Sequence, residues 1–371
     1  MEVYADYAAT TPMDGAVRKA LLEDDGFGNP SSIHRAGKEA RAKIEKARRG
    51  IAQLLNASSS EIFFTSGATE GNNMAIRGVA NQYIRPHIIT TEIEHASVLN
   101  TLRSLEADVT YLQANADGAI DVDALKNSLR DETVLVSVML VNNETGVMQP
   151  IYEIQEALSE HKALLHIDAV QAYGHMAVDV KELGADLLTL SAHKMYGPKG
   201  IGLLYKRKDV KLIPLITGGG QEKDLRGGTE NTMWIEGLSL AMQQASDEMT
   251  RRSIREMQIK EQFLNLLTQS DIPFEVNGDV NKSASHIINI HFPFAEAEFM
   301  LTALDLAGIH ASAGSACQAG TLNPSHVLTS MYGESNRNRQ SIRFSFSYMM
   351  TDEEVEAIVT ALEDIYGRLM R

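Results

Sequence analysis

Lys194 follows a predicted buried strand at residues 186–190 and precedes the sequence Met-Tyr-Gly-Pro-Lys-Gly. Burial lowers the pKa of a lysine amine because the charged form loses its hydration, and the neutral amine is a nucleophile that can form a Schiff base. The alternative is a surface lysine whose aliphatic stem lies on apolar neighbours while its amine reaches the solvent. This segment by itself leaves both interpretations open.

Two other strand ends carry groups that complement a Schiff-base lysine. Residues 66–69 (Ser-Gly-Ala-Thr) join a predicted strand to a predicted helix, and their small side chains let backbone N–H groups approach a phosphate. Asp168 ends another predicted strand, where a carboxylate could keep the pyridine nitrogen of pyridoxal phosphate protonated. Each has a plainer alternative, a strand-to-helix turn and a helix N-cap. Together with Lys194 they favour pyridoxal-phosphate chemistry.

A histidine and an arginine stand out by their surroundings. His95 follows the predicted strand 87–91 and could stack on a cofactor ring and relay protons, or it could be a structural histidine. Arg343 is the one charged residue in the apolar segment SIRFSFS. A buried guanidinium requires a carboxylate partner, which either a substrate or the protein could provide.

The chain has one cysteine, Cys317, in a stretch of small residues at 311–324. This composition predicts a mobile loop, and a thiol on such a loop suggests a nucleophile that must travel; the alternative is an incidental exposed cysteine. A single cysteine excludes an intrachain disulfide, and neither CxxC nor HExxH is present. The sequence therefore predicts a cytoplasmic enzyme that needs no metal.

The elements that must position these residues alternate between strands and helices up to about residue 210. This pattern predicts a mostly parallel sheet covered by helices, with ligands at the carboxyl ends of the strands. A polar helical stretch at 231–270 is followed by strand, helix, strand and helix, which indicates a smaller α+β domain. We expect a large domain at 15–250, and a small domain formed by 1–14 and 251–371 that carries the cysteine loop.

Composition narrows the function classes. The chain has 371 residues, 44% of them hydrophobic, which excludes disorder as the main state. Its net charge of −15 disfavours direct binding of nucleic acid. No run of 18 apolar residues and no signal-peptide pattern is visible, so neither a membrane span nor secretion is expected.

Motifs spread over nearly the whole chain resemble the group I cysteine desulfurases of the NifS/IscS type, within the class V aminotransferases. These motifs are YADYAATTP (4–12), GNPSSIHRAG (28–37), FFTSGATEGNN (63–73), TEIEHASVL (91–99), VNNETGVMQPI (141–151), HIDAVQAYG (166–174), SAHKMYGPKGIG (191–202), GGGQEKDLRGGTEN (218–231), SAGSACQAG (312–320) and SIRFSFS (341–347). The resemblance implies the fold type I of pyridoxal-phosphate-dependent transferases, with a mostly parallel seven-stranded sheet.

The resemblance also implies roles at individual positions. Lys194 would hold pyridoxal 5′-phosphate as a Schiff base and move the α-proton of L-cysteine. Cys317 would attack the substrate sulfur, giving L-alanine and a persulfide, while His95 would stack on the ring as an acid/base. The other implied contacts are Asp168 to the pyridine nitrogen, Gln171 to the ring hydroxyl, Asn143 to cofactor or substrate, Ala68, Thr69, Ser191 and His193 to the phosphate, Thr229 to the phosphate of the neighbouring protomer, and Arg343 with Asn29 to the substrate carboxylate.

The implied partners are a second copy of the chain, in a homodimer with shared active sites, and a sulfur-acceptor protein. That acceptor would be a scaffold for iron–sulfur cluster assembly or an enzyme of tRNA or cofactor thiolation. Selenocysteine lyase and another class V aminotransferase remain alternative activities, because neither obviously needs Cys317. A degenerate fold that serves only as a binding scaffold is a third possibility, which the presence of Lys194, Asp168 and His95 disfavours.

Overall fold

The computed structural model describes residues 1–23, 26–314 and 324–370, so the predicted nucleophile Cys317 lies outside the described residues. The strands are β1 (Val3–Tyr4), β2 (Ile62–Thr65), β3 (His87–Thr91), β4 (Asp108–Leu112), β5 (Thr133–Met139), β6 (Leu164–Asp168), β7 (Leu187–Ser191), β8 (Gly202–Lys206), β9 (Glu275–Val276), β10 (Ile287–His291), β11 (Ile309–His310) and β12 (Ser341–Ser345). The helices are α1 (Gly15–Glu23), α2 (Arg35–Leu54), α3 (Ala68–Ala80), α4 (Ala96–Arg103), α5 (Val122–Ser128), α6 (Ile151–Leu158), α7 (Thr232–Gln269), α8 (Ala297–Leu306), α9 (His326–Tyr332) and α10 (Asp352–Leu369).

The main sheet has seven strands in the order β2-β8-β7-β6-β5-β3-β4. The run from β7 to β4 is parallel, whereas β8 is antiparallel to both of its neighbours, β2 and β7. Every residue of β5 is buried, as expected for a central strand with helices on both faces. The predicted mostly parallel, helix-covered sheet is confirmed.

The sheet topology brings the chemically interesting strand ends to one edge. Parallel strands end on the same side of a sheet, which places the carboxyl ends of β3, β5, β6 and β7 together. Two successive antiparallel pairings through β8 restore the direction of β2, so its carboxyl end joins them. The residues that follow these strands therefore share one rim.

The second half of the chain builds its own apolar core around the small sheet β12-β10-β9. Helices α7, α8 and α10 pack against this sheet, and the paired strands β1 and β11 lie beside them. Helix α7 matches the predicted helical stretch and runs without interruption through the predicted boundary near residue 250. The domain ranges themselves stay a prediction. Within the described residues, no helix is both long enough and apolar enough to span a membrane.

A buried ion pair holds β2, the strand that leads into residues 66–69, against α2 and the segment at 218–228. Arg48 on α2 donates from Nη1 and Nη2 to the two carboxylate oxygens of Glu222 at 2.8 and 2.6 Å, and both side chains are almost fully buried. Glu222 also accepts a hydrogen bond from the backbone N–H of Phe64 in β2. The pair thus joins α2, β2 and the glycine-rich segment at 218–228.

We expect Arg48→Met to lower the free energy of unfolding by about 3–5 kcal/mol, because it leaves the Glu222 carboxylate buried without a compensating charge. Urea unfolding followed by circular dichroism measures the change. Arg35→Met is the matched control, since it removes an exposed arginine paired with Glu39 and is expected to leave the free energy of unfolding nearly unchanged. Equal losses in the two variants would contradict the prediction.

Candidate active site

A cavity of about 1100 Å³ opens at the rim where the strand ends meet. Most of the predicted site residues line it, although they come from segments far apart in the sequence. The predicted residues that line the cavity are Ala68, Thr69, His95, Asn143, Asp168, Gln171, Ser191, His193, Lys194 and Arg343.

Three predicted residues are not brought into this cavity by the described part of the chain. Asn29 and Thr229 are exposed and do not line it, and the Asn29 side chain accepts a hydrogen bond from the N–H of Ser31. Cys317 lies outside the described residues. However, Gly314 and Pro324, which flank the segment 315–323, both line the cavity.

The first turn of α3 forms a cradle for an anion. Gly67 is the N-cap of α3 with a φ of 151°, a left-handed conformation that strongly favours glycine. The N–H groups that open a helix have no partner within it and concentrate positive potential, so Ala68 and Thr69 present a phosphate site. The nearby His193 is neutral at physiological pH, because burial lowers its pKa to about 4.

Lys194 ends a short 3-10 turn after β7 and lies half-buried in the cavity. Its Nζ donates hydrogen bonds to the carbonyl oxygens of Ala8 and Ala9 at 2.5 and 2.6 Å. Burial, reinforced by the positive charge of Arg343, lowers the pKa of the amine to about 8. A substantial fraction of Lys194 is therefore neutral and nucleophilic near physiological pH. The prediction of a buried, activated lysine agrees with its position in the structure.

A chain of hydrogen bonds connects His95 to Asp168. The Nδ1 atom of His95 accepts from the N–H of Ser97 at 3.1 Å and contacts the Ser97 hydroxyl at 2.8 Å. The Asn72 amide donates to that hydroxyl at 2.9 Å and to Asp168 Oδ2 at 2.8 Å. Because Nδ1 acts as an acceptor and burial lowers the pKa of His95, the neutral ring carries its proton on Nε2.

Asp168 and Gln171 are held at the back of the cavity. The second oxygen of Asp168 accepts from the N–H of Val170 at 3.1 Å, which orients the carboxylate. The Gln171 amide nitrogen donates to the Ala8 carbonyl at 2.9 Å, and His286 Nε2 lies 3.4 Å from its amide oxygen. Because the carbonyl oxygen of Ala8 can only accept a hydrogen bond, the amide nitrogen of Gln171 must face the N-terminal segment.

Arg343 on β12 is buried, as its surroundings in the sequence suggested. Its Nη1 donates to the carbonyl oxygen of Asn143 at 2.7 Å, and its Nη2 donates to Asp6 Oδ1 at 2.6 Å. Its Nε is also buried and has no hydrogen-bond partner among the described residues. The sequence left open whether the carboxylate partner of Arg343 comes from a substrate or from the protein. In the structure the protein provides one, Asp6.

Several residues that support the site were not predicted from the sequence. Asn72 and Ser97 orient Asp168 and His95, and Asp6 pairs with Arg343. Two buried glutamates also lie here: Glu94 ties β3 to Met139, and Glu144 accepts a hydrogen bond from Ser325. Burial raises the pKa of both, that of Glu94 to about 8. A signal was present, because these side chains all fall within or beside the quoted motifs.

Behind Gln171, the side chains of His175, Glu256 and His286 lie close enough to hold a metal ion. The two imidazole rings, however, are stacked at 3.5 Å and are nearly parallel, so their lone pairs point along parallel planes. Ligand nitrogens must converge on one point to bind a metal ion, which this arrangement does not provide. That the protein needs no metal stays a prediction.

The cavity residues fit pyridoxal 5′-phosphate, the group that the sequence implies. The cofactor has an aldehyde, a phosphate and a pyridine nitrogen. Lys194 offers a partly neutral amine, the N-terminus of α3 offers unpaired N–H groups around a left-handed glycine, and Asp168 offers an oriented carboxylate. Each reactive part of the cofactor therefore has a chemically matched group in the same cavity.

Because the pKa of Lys194 is lowered to about 8, we expect attachment of pyridoxal phosphate to this amine to rise as the pH increases through about 8. The measurement is borohydride trapping at a series of pH values, followed by peptide mass spectrometry. Lys199, which is exposed at the rim of the same cavity, is an internal control that should remain unlabelled at pH 8. A rise only near pH 10, or preferential labelling of Lys199, would count against an activated Lys194.

Comparison with known proteins agrees with this geometry. The class-V aminotransferase family matches residues 3–358. A cysteine desulfurase IscS of Dictyoglomus turgidum is 43% identical over 375 residues, covering 99% of this chain and 95% of the relative. A solved NifS-like protein matches with a TM-score of 0.93 and 33% identity, covering 99% of this chain and 100% of that one.

A solved structure titled SspA in complex with cysteine matches with a TM-score of 0.83 and 37% identity, over 94% of this chain and 100% of that one. Class V aminotransferases and cysteine desulfurases depend on pyridoxal phosphate, and the NifS-like match agrees with fold type I. The chain therefore belongs to the pyridoxal-phosphate-dependent class V aminotransferase family, among the relatives named cysteine desulfurases.

Proposed function

We propose that this protein is a cysteine desulfurase that converts L-cysteine to L-alanine and takes up the sulfur as a persulfide on Cys317. The observation that carries the proposal is one cavity that combines Lys194, Asp168 and a buried arginine with Gly314 and Pro324, the residues flanking 315–323. The names of the relatives, and the cysteine bound in the SspA structure, support cysteine as the substrate.

Each side chain has a defined task in this mechanism. Pyridoxal phosphate, when bound, supplies an electron sink that stabilises negative charge at the substrate α-carbon. Lys194 Nζ, neutral above a pH of about 8, holds and returns the α-proton. Arg343 binds the substrate carboxylate, and Asp168, whose oxygens are oriented by Asn72 and Val170, would pair with the ring nitrogen of the cofactor and keep it protonated. His95 presents its Nε2 proton, since Nδ1 is occupied by Ser97.

The sulfur step uses Cys317 and balances without an external oxidant. The thiolate of Cys317 forms an S–S bond with the substrate sulfur as the Cβ–S bond breaks. The carbon fragment gains a proton in place of its sulfur and leaves as alanine, while Cys317 keeps an S–SH group. A thiol and cysteine thus give a persulfide and alanine, and a downstream acceptor removes the terminal sulfur.

The wider assignment is part of the same proposal. We propose a cytoplasmic homodimer in which Thr229 reaches the phosphate of the partner's cofactor, while Asn29 joins Arg343 at the substrate carboxylate. The exposure of Thr229 in the single chain supports such an intermolecular role. The acceptor is a scaffold for iron–sulfur cluster assembly or an enzyme of tRNA or cofactor thiolation.

The decisive experiment incubates the purified protein with pyridoxal phosphate and L-cysteine in the absence of reductant. Alanine is followed over time, and the intact mass of the protein is measured. We expect alanine together with a gain of one sulfur atom on Cys317, and we expect Cys317→Ala to lose both signals. Loss of alanine formation in Lys194→Ala, with weak cofactor binding retained, is the second expected result.

Other outcomes would redirect the assignment. Alanine formation that persists in Cys317→Ala would favour selenocysteine lyase or another class V aminotransferase activity. Normal turnover in Lys194→Ala would contradict the assignment altogether. Failure of Lys194 to capture the cofactor would favour a binding scaffold without catalysis.

The homodimer has its own test. Sedimentation of the purified holoenzyme is expected to give twice the mass of one chain, and Thr229→Val is expected to weaken cofactor binding by losing a hydroxyl donor. A variant of another exposed threonine, Thr302→Val on α8, is the matched control and should bind the cofactor normally. A monomer with full activity would contradict shared sites.

A further inference from the structure

Asp6 is already paired with Arg343, the residue that the proposed function assigns to binding the substrate carboxylate. Arg343 is only 3% exposed, and two of its nitrogens are already engaged: Nη2 with Asp6 and Nη1 with the Asn143 carbonyl. The third nitrogen, Nε, is buried without a partner among the described residues. The guanidinium is thus neutralised by a carboxylate of the protein before any substrate arrives.

Because of the geometry of its guanidinium, Arg343 must use the same nitrogen to bind Asp6 and a substrate carboxylate. A carboxylate binds it with two hydrogen bonds either along the edge formed by Nη1 and Nη2 or along the edge formed by Nε and Nη2. Both edges include Nη2, the atom that donates to Asp6 at 2.6 Å. A substrate carboxylate that binds in this way must therefore share Nη2 with Asp6 or displace it.

Charge makes displacement the favoured outcome. Two carboxylates on one nitrogen repel each other, and Lys194 nearby is only partly charged, so the cavity holds little excess positive charge to accommodate both. The Asp6 side chain is 20% exposed, whereas that of Arg343 is 4% exposed. Asp6 therefore has a route to water, but the guanidinium does not.

We propose that Asp6 is a specificity-determining residue, an internal carboxylate that pairs with Arg343 in the free enzyme and is exchanged for the carboxylate of the substrate. The proposal rests on the proposed function, because it requires Arg343 to bind that carboxylate. Its consequence is that substrate binding replaces one ion pair by another. A thiol amine without a carboxylate cannot make this exchange and leaves Asp6 in place.

The test uses the holoenzyme and 3-mercaptopropionate, which has the thiol and carboxylate of cysteine but no amine to react with the cofactor. Asp6→Asn keeps a hydrogen-bond acceptor for Arg343 and removes the competing charge. Titration calorimetry should show 3-mercaptopropionate binding roughly two- to fivefold more tightly, a range typical of a single partly exposed charge. The KM for L-cysteine should also fall, whereas the affinity for cysteamine should not change.

Two controls complete the design. Asp108→Asn makes the same change of net charge in an exposed pair with Arg130 on the edge strand β4; Asp108 does not line the cavity, so this change should leave binding unchanged. If Asp6→Asn does not fold, Asp6→Ser, which removes the charge and leaves room for a water molecule, is expected to shift affinity in the same direction.

The outcomes separate this inference from the proposed function. If Arg343→Gln leaves the affinity for 3-mercaptopropionate unchanged, the assigned role of Arg343 fails. If Arg343→Gln weakens binding but removal of the Asp6 charge leaves it unchanged or weaker, Arg343 keeps its role and the exchange is overturned. Equal tightening in Asp108→Asn would also overturn it, because a general charge effect would then explain the result.

Discussion

The carbonyl oxygen of Ala8 is the acceptor on which the rest of the site depends. It receives hydrogen bonds from Lys194 and from Gln171, two residues that follow different strands of the main sheet. The same residue donates its N–H to the Ser345 hydroxyl on β12, in the second sheet. One short N-terminal segment therefore fixes both side chains that would approach the cofactor, and fixes them relative to the strand that carries Arg343.

Electrostatics inside this frame follow from burial. Burial lowers the pKa of Lys194, and the positive charge of Arg343 in the same cavity lowers it further, whereas Asp6 and Asp168 act in the opposite direction. The same burial keeps His193 neutral beside the anion cradle. The site thus combines a permanently charged guanidinium with an amine near its own titration point, an arrangement suited to binding a carboxylate while moving a proton.

Local pattern was enough to predict much of the fold. Apolar runs of the right length identified the strands of the main sheet except β4, which was not predicted, and the rule that parallel strands end at one edge placed Lys194, Asp168 and His95 in one cavity. Strand boundaries were predicted less accurately. The apolar run Val134–Val141 predicts a strand that continues to Val141, but β5 ends at Met139 because Val141 instead bridges to Met148.

What could not be predicted are contacts between distant segments. Nothing near Asp6 in the sequence identifies Arg343 as its partner, because the two are 337 residues apart and meet only through tertiary packing. The bonds from Asn72 to Ser97 and Asp168 have the same origin. The role proposed for Thr229 differs in kind, since it depends on a second copy of the chain and has no counterpart in one chain.

The N-terminal segment also has a consequence for the order of assembly. Strand β1 pairs with β11, and Asp6 and Ala8 contact Arg343 and Ser345, so these early residues pair only after residues near 310 and 345 have been synthesised. Contacts of such long sequence separation form late, because closing the chain between them costs conformational entropy. Lys194 therefore gains its carbonyl partners only when folding is nearly complete. The burial that lowers the pKa of this amine is therefore complete only when these late contacts have formed.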